Sequence, residues 1–230
     1  MATSSLKNSP LIKQDVASSH FEIDISDEYL RRQAKTVNMI DAARIGCTTL
    51  ALLVGLTILG LSGNAIYVYN STRLQDAGWL SIWPASFDLR PTVALVAGSS
   101  IVTVANIAGL LCSKVPHIRN NTPFHTPVMF AAPFLGFVSA LVAIILFYAI
   151  NASTTTDTLL SWTCRWQSVS MTAEPHFGTL CHSNWASVVM AVVLVPVEAI
   201  ALCIAAWQLK TEKHVAKYAS ARKGSPSPGA

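Results

Sequence analysis

Glu198 is the residue whose type and position most directly suggest chemistry. It lies in an apolar stretch that is long enough to cross a membrane and is otherwise uncharged. An ionised carboxylate is costly in hydrocarbon, so we expect Glu198 to be protonated, or hydrogen-bonded inside a helix bundle. Such a group can relay protons, bind a cation or polar ligand, or meet a partner's basic residue. Equally, it can form a structural hydrogen bond that orients two helices.

Asn106 is the predicted partner of this carboxyl group. Counted by helical rise from the outer ends of their spans, Glu198 lies roughly 18 Å deep and Asn106 roughly 22 Å deep. Because these depths nearly match, we expect the Asn106 amide to donate a hydrogen bond to Glu198. The same span also offers three alternative partners, Ser99, Ser100 and Thr103.

Two of the five cysteines fall in the second predicted outer loop, where the environment is oxidising. We expect these two, Cys164 and Cys181, to form a disulfide; the alternative is two unpaired thiols. The remaining cysteines are Cys47, Cys112 and Cys203, which lie in or near the inner halves of spans. Apolar packing is favoured over palmitoylation for Cys47 and Cys112.

Metal and enzyme chemistry have little support in the sequence. Glu174, His176 and His182 share an outer loop and offer a metal site, but a disulfide-closed cap that contacts a partner is favoured. All six histidines lie outside the predicted spans, so a membrane haem held by two histidines is not supported. We therefore predict no catalytic residue, no bound metal, no cofactor and no nucleic-acid partner, and a protein that is not an enzyme.

The elements that must position these residues are membrane helices. The 230 residues are 52% hydrophobic and 12% charged, against about 25% charged in soluble domains. Four apolar runs are each long enough for a bilayer core of roughly 30 Å. The sequence predicts an all-α, integral membrane four-helix bundle with spans at 45–67, 92–112, 128–150 and 186–209.

The remaining segments are polar, and their Lys and Arg residues set the orientation. Of the 16 basic residues, only Arg73, Arg90 and Arg165 fall in the predicted outer loops. The positive-inside rule therefore predicts that both termini are cytoplasmic. The predicted segments are a disordered N-terminus (1–25), an amphipathic juxtamembrane helix (26–44), outer loops (68–91 and 151–185), a cytoplasmic loop (113–127) and a cytoplasmic tail with a disordered end (210–230).

The outer loops carry two glycosylation sequons and most of the tryptophans. The sequons begin at Asn70 and Asn151, which we predict as glycan acceptors. The aromatic stretch 79–83 suits the membrane interface. Close by, Asp88 and Arg90 are expected to form an ion pair.

Small residues recur at spacings of four residues, or five in the first span. Such faces let helices approach closely in lipid. They comprise Ala132, Gly136 and Ala140 in the third span, Ala94 with Gly98 and Ala105 with Gly109 in the second, and Gly55 with Gly60 in the first.

Several segments together resemble uncharacterised four-span proteins of filamentous fungi: Trp83-Pro84, 87–92, 164–166, and 175–177 with Cys181. The architecture of residues 40–210 resembles the MARVEL-like tetraspan class. The first outer loop lacks the cysteines of claudins, and the second lacks the Cys-Cys-Gly of tetraspanins. The resemblance implies a protein of the plasma membrane or the secretory endomembranes that organises membrane domains, with the lipid bilayer and a membrane protein or a second copy as partners. The alternative is a small transporter, channel or proton-coupled subunit that uses Glu198.

Overall fold

Most of the protein is helical. The computed structural model describes residues 10–75, 82–114, 122–169, 171 and 175–223, without the side chains at 10–34, 37, 74–75, 114, 122–129 and 212–223. The chain divides into two units, residues 1–42 and 43–230. The elements in chain order are α1 (Pro10–Gln75), β1 (Phe87–Asp88), α2 (Arg90–Lys114), α3 (Thr122–Ser153), β2 (Asp157–Thr158), α4 (Leu159–Arg165) and α5 (Phe177–Lys223).

Four helical stretches among the described residues are long and apolar enough to cross a membrane. Hydrocarbon offers no hydrogen-bond partners to the backbone, and a helix pairs its backbone N–H and C=O groups internally. These stretches indicate a membrane protein. Their bounds are Asn38–Arg73, Arg90–Ser113, Phe130–Ser153 and Phe177–Thr211.

The N-terminal segment differs from the prediction. Helix α1 already begins at Pro10, whereas the sequence predicted disorder over 1–25 and a separate helix over 26–44. Proline suits a first helical position because its missing N–H has no helical partner there. The residues after Pro10 include good helix formers, and the helix continues through Ser26. Ser26 is therefore not the N-cap that the sequence predicted. Residues 1–9 lie outside the described residues.

The helices also extend beyond the predicted spans. Helix α1 continues to Gln75, and α5 runs from Phe177 to Lys223. Both predicted outer loops are therefore shorter, and the predicted tail 210–230 is helical as far as Lys223. A hydrophobic run marks the part of a helix that suits lipid, whereas the helix itself can continue through polar residues. The middle of the predicted loop 113–127 and residues 224–230 lie outside the described residues.

Two short strands add to the predicted all-α fold. They pair in parallel, with Phe87 opposite Asp157 and Asp88 opposite Thr158. Thr158 then caps α4, because its Oγ1 accepts the Ser161 N–H while Ser161 Oγ accepts the Thr158 N–H. We call the end of the bundle that carries β1, β2 and α4 the outer end, and the opposite end the inner end.

The core of the bundle is formed where small residues bring helices together. Beside Gly98 of α2 lies the Ala143 side chain of α3, so a Cβ atom at Gly98 would clash with it. Near the inner end, a Cβ atom at Gly109 would lie 3.3 Å from that of Ala132. Gly60 has open space around it, so its predicted packing role is not seen. The buried apolar residues of this core are Ala51, Ile58, Leu95, Val102, Ala140, Ile144, Phe147, Val188, Ala191 and Leu194.

Candidate functional site

Glu198 and Asn106 meet in the interior of the bundle. Asn106 Nδ2 donates a hydrogen bond to Glu198 Oε1 over 2.7 Å, and another to the Val102 carbonyl over 3.0 Å. The exposed fraction is 0% for Glu198 and 2% for Asn106. Both N–H groups of the amide are thus used, one to its own helix and one to α5. The amide is held in place by α2 while it binds the carboxyl group.

Gly136 of α3 makes room for this carboxyl group. A Cβ atom at Gly136 would lie 2.7 Å from Glu198 Oε2 and 2.8 Å from Oε1. The site is therefore built from three helices: α2 supplies the amide, α5 the carboxyl group and α3 the space. The sequence identified Gly136 as a packing residue and missed its contact with Glu198. Comparing its depth with that of Glu198 would have found this contact.

One oxygen of the carboxyl group is left without a hydrogen bond. Glu198 Oε2 is buried and has no partner among the described residues. Thr103 Oγ1, one turn from Asn106 toward the outer end, is also buried without a partner. The alternative partners Ser99 and Ser100 both donate to the Val96 carbonyl of their own helix. Buried polar atoms normally have partners, so Oε2 and Thr103 Oγ1 mark unused hydrogen-bonding capacity.

A cavity of about 20 Å³ lies on the inner side of Asn106. The cavity exists because small residues of three different helices line it: Gly109, Ala132 and Ala201. Buried Arg44 of α1 also lines it. A volume of roughly 10–15 Å³ on this measure holds one water molecule. The sequence placed Arg44 in a juxtamembrane helix, and its charge gave no signal that it enters the bundle.

The disulfide predicted between Cys164 and Cys181 is present. It joins α4 to Cys181, the fifth residue of α5, with 4.8 Å between the Cα atoms. Arg165 and Asp157 form an ion pair over 3.0 Å that ties α4 to β2. The other cysteines, Cys47, Cys112 and Cys203, are free.

An aromatic cluster fills the space beneath these elements. Tyr69 stacks on Phe87 at 4.8 Å between ring centroids, and Trp83 lies edge-on to Tyr69 at 4.9 Å. Trp83 also contacts Phe177, and its Nε1 donates to Thr72 Oγ1 over 2.9 Å. Trp83 is only 3% exposed, so its side chain is buried in the protein and does not face lipid as predicted. Residues 79–81 of the predicted interfacial stretch lie outside the described residues. We call this cluster, together with β1, β2, α4 and the disulfide, the outer cap.

The two predicted glycan acceptors lie in helices instead of loops. Asn70 is exposed on α1. Asn151 is half-buried near the end of α3, where its Oδ1 accepts a hydrogen bond from Thr158 Oγ1 over 2.9 Å. Glycosylation of both stays a prediction.

Two further predictions concern polar residues of the outer loops. His176 and His182 are exposed, and Glu174 lies outside the described residues. Within the described part of the chain, no group of three or more His, Cys, Asp or Glu side chains could hold a metal ion. Asp88 Oδ1 accepts the backbone N–H of Arg90 over 2.9 Å, a backbone contact where the sequence predicted an ion pair.

Comparison with known proteins adds no family to this geometry. No family model matches the chain, and no curated protein or solved structure matches it. The resemblance to MARVEL-like proteins stays a prediction.

Proposed function

We propose that this protein is a non-enzymatic membrane protein that organises a membrane domain or serves as an accessory subunit of a larger membrane protein. The observation that supports this proposal is the outer cap. Strand pairing, the disulfide and the aromatic cluster tie both outer loops into one body. A surface held in this way loses little conformational entropy when it binds, so it suits recognition of a partner.

Two exposed side chains at or beside the cap suit a protein contact. Trp166 is 42% exposed and Trp185 is 58% exposed. They lie two and four positions from the bridged residues Cys164 and Cys181. Tryptophan is enriched among the residues that dominate binding energy. The partner in this proposal is a membrane protein or a second copy, in the plasma membrane or a secretory endomembrane, with both termini of this chain cytoplasmic.

The test is affinity purification from the native host in mild detergent, with mass spectrometry and the native mass of the complex. We expect a larger membrane protein to be recovered with the wild type, and to be lost when Trp166→Ala and Trp185→Ala are combined. Trp207→Ala is the matched control because Trp207 is exposed near the inner end of the apolar stretch Phe177–Thr211. Recovery of the chain alone as a defined homo-oligomer would count against the accessory role.

A second candidate function is a small transporter, channel or proton-coupled subunit that uses Glu198. The observation that favours it is the buried Glu198 Oε2, which has no hydrogen-bond partner among the described residues. Acidic residues inside membrane spans often serve transport or proton transfer. In this role Glu198 accepts a proton or a cation, and Asn106 holds the carboxyl group in position.

Glu198→Gln distinguishes the two candidates. The amide oxygen of glutamine can still accept the hydrogen bond from Asn106, but glutamine cannot take up and release a proton as a carboxyl group does. Transport by this residue predicts loss of flux in liposomes with partner recovery unchanged. An organising role predicts that partner recovery also survives, and that the wild type shows no flux above protein-free liposomes.

A further inference from the structure

A groove opens between α2 and α3 at the outer end of the bundle. Its volume is about 480 Å³, within the roughly 300–1,000 Å³ of small-molecule sites. Its sides are formed by Val93, Ala94 and Ala97 of α2 and by Leu146 and Ile150 of α3. These are apolar side chains, of which Val93 and Leu146 are exposed and Ile150 is half-buried. The groove therefore opens toward the surroundings of the bundle.

The helix contacts explain why the groove is confined to the outer end. Gly98 and Ala143 bring α2 and α3 into close contact next to Ala97, the deepest α2 residue in the groove lining. Outward of this contact, the small side chains of Ala94 and Ala97 leave room between the helices. From Arg90 to Ala97 the groove is about 10 Å deep by helical rise.

The top of the groove carries two opposite charges. Arg90 begins the membrane-spanning part of α2 and is exposed, and its guanidinium makes no ion pair with any described residue. Asp88 lies two positions nearer the outer end, and one of its carboxylate oxygens accepts the Arg90 backbone N–H. By backbone position, the positive residue is thus the deeper one and the negative residue the outer one.

We propose that this groove binds one zwitterionic phospholipid of the outer leaflet. The acyl chain lies along Ala94 and Ala97, the phosphate contacts Arg90, and the head-group ammonium faces Asp88. In such a lipid the phosphate lies nearer the membrane core than the ammonium, which is the order of the two charges here. Arginine matches phosphate well because its planar fork donates two parallel hydrogen bonds. This inference does not depend on the proposed organising role.

Other occupants fit the groove less well. A sterol would fill the apolar part and leave Arg90 without an anion. A helix from a second copy needs a contact that continues along the span, whereas this groove ends beside the Gly98–Ala143 contact. The phospholipid uses both the apolar walls and the charges above them.

The test is lipid retention measured by native mass spectrometry on the full chain in detergent. The lipids are phosphatidylcholine and diacylglycerol with the same acyl chains, because diacylglycerol lacks the phosphate and the ammonium. We expect phosphatidylcholine to be retained more strongly, and Arg90→Gln to lower its apparent affinity about tenfold. Asp88→Asn removes the negative charge that faces the ammonium, so it should lower the preference for phosphatidylcholine over anionic phosphatidylglycerol. Asparagine can still accept the Arg90 N–H, so the local backbone contact is kept.

A second pair of variants tests the shape of the groove. Ala97→Leu fills it and should abolish retention, whereas Ala206→Leu places the same side chain on an exposed position of α5 and should not. If Ala97→Leu does not fold, the retention measured for Arg90→Gln decides between the outcomes. Equal retention of the two lipids, or unchanged retention in Arg90→Gln, would overturn the proposal. A dimer that Ala97→Leu dissociates would assign the groove to a second copy and would also overturn it.

Discussion

Gly136 of α3 lies directly against the carboxyl group of Glu198 on α5. All three carboxyl atoms are within 2.8 Å of the position that a Cβ atom on Gly136 would occupy. The hydrogen bond from Asn106 and the absence of a side chain at Gly136 therefore act together, one binding the carboxyl group and the other leaving space for it.

Gly136→Ala should destabilise the bundle. The added methyl group displaces the Glu198 carboxyl group and stretches its hydrogen bond with Asn106. Overpacking of a tight core costs typically about 1–3 kcal/mol. Thermal unfolding in detergent measures the effect, with Gly60→Ala as control, because Gly60 has open space and alanine favours a helix. Equal unfolding temperatures in the two variants would contradict the close contact at Gly136.

Asn106→Ala should lower the free energy of unfolding by about 1–3 kcal/mol, because it leaves a buried carboxyl group without its donor. Replacing both partners with apolar residues of similar size, Asn106→Leu with Glu198→Met, should recover much of this loss. A double-mutant cycle on unfolding free energies measures the coupling. Additive single effects would show that the 2.7 Å hydrogen bond contributes no coupling.

Cys164→Ser with Cys181→Ser should destabilise the outer cap by about 3 kcal/mol, because the open loop gains entropy in the unfolded state. Cys203→Ser is the control, since Cys203 is exposed and free. Peptide mass spectrometry without reduction should find Cys164 linked to Cys181 and alkylation at the other three cysteines. Alkylation of Cys164 in the folded, unreduced protein would exclude the bridge.

Trp83→Phe should destabilise the protein by about 1–2 kcal/mol, because it removes the hydrogen bond to Thr72 and part of the ring that packs against Tyr69 and Phe177. Trp207→Phe should have little effect because Trp207 is exposed. Unfolding curves of the two variants provide the comparison. An unfolding midpoint unchanged by Trp83→Phe would mean that the aromatic cluster does not stabilise the cap.

The sequence predicted those features that the bilayer imposes on any chain. Uncharged runs must be helical in hydrocarbon, which is why four apolar helices could be predicted. A constant helical rise made the depths of Glu198 and Asn106 comparable, and the structure places the two groups in hydrogen-bond contact.

Several other features that depend on tertiary contacts were missed. A tryptophan at the membrane interface and one buried in a cluster occupy similar sequence positions, so the burial of Trp83 could not be predicted. The two-residue strands have no recognisable periodicity, and only the contact between the outer loops creates them. Arg44 looked like a surface charge because nothing local to it indicates the cavity that it lines.

The outer cap also constrains the order in which the protein can be assembled. Its aromatic cluster combines Tyr69 at the end of the first span, Phe87 before the second and Phe177 at the start of the fourth. During synthesis, a nascent chain that stops short of Phe177 therefore lacks one wall of the cluster, and one that stops before Cys181 cannot close the bridge. Cap closure is thus a late step of biogenesis, and an oxidised Cys164–Cys181 pair identifies chains that have been synthesised into the fourth span.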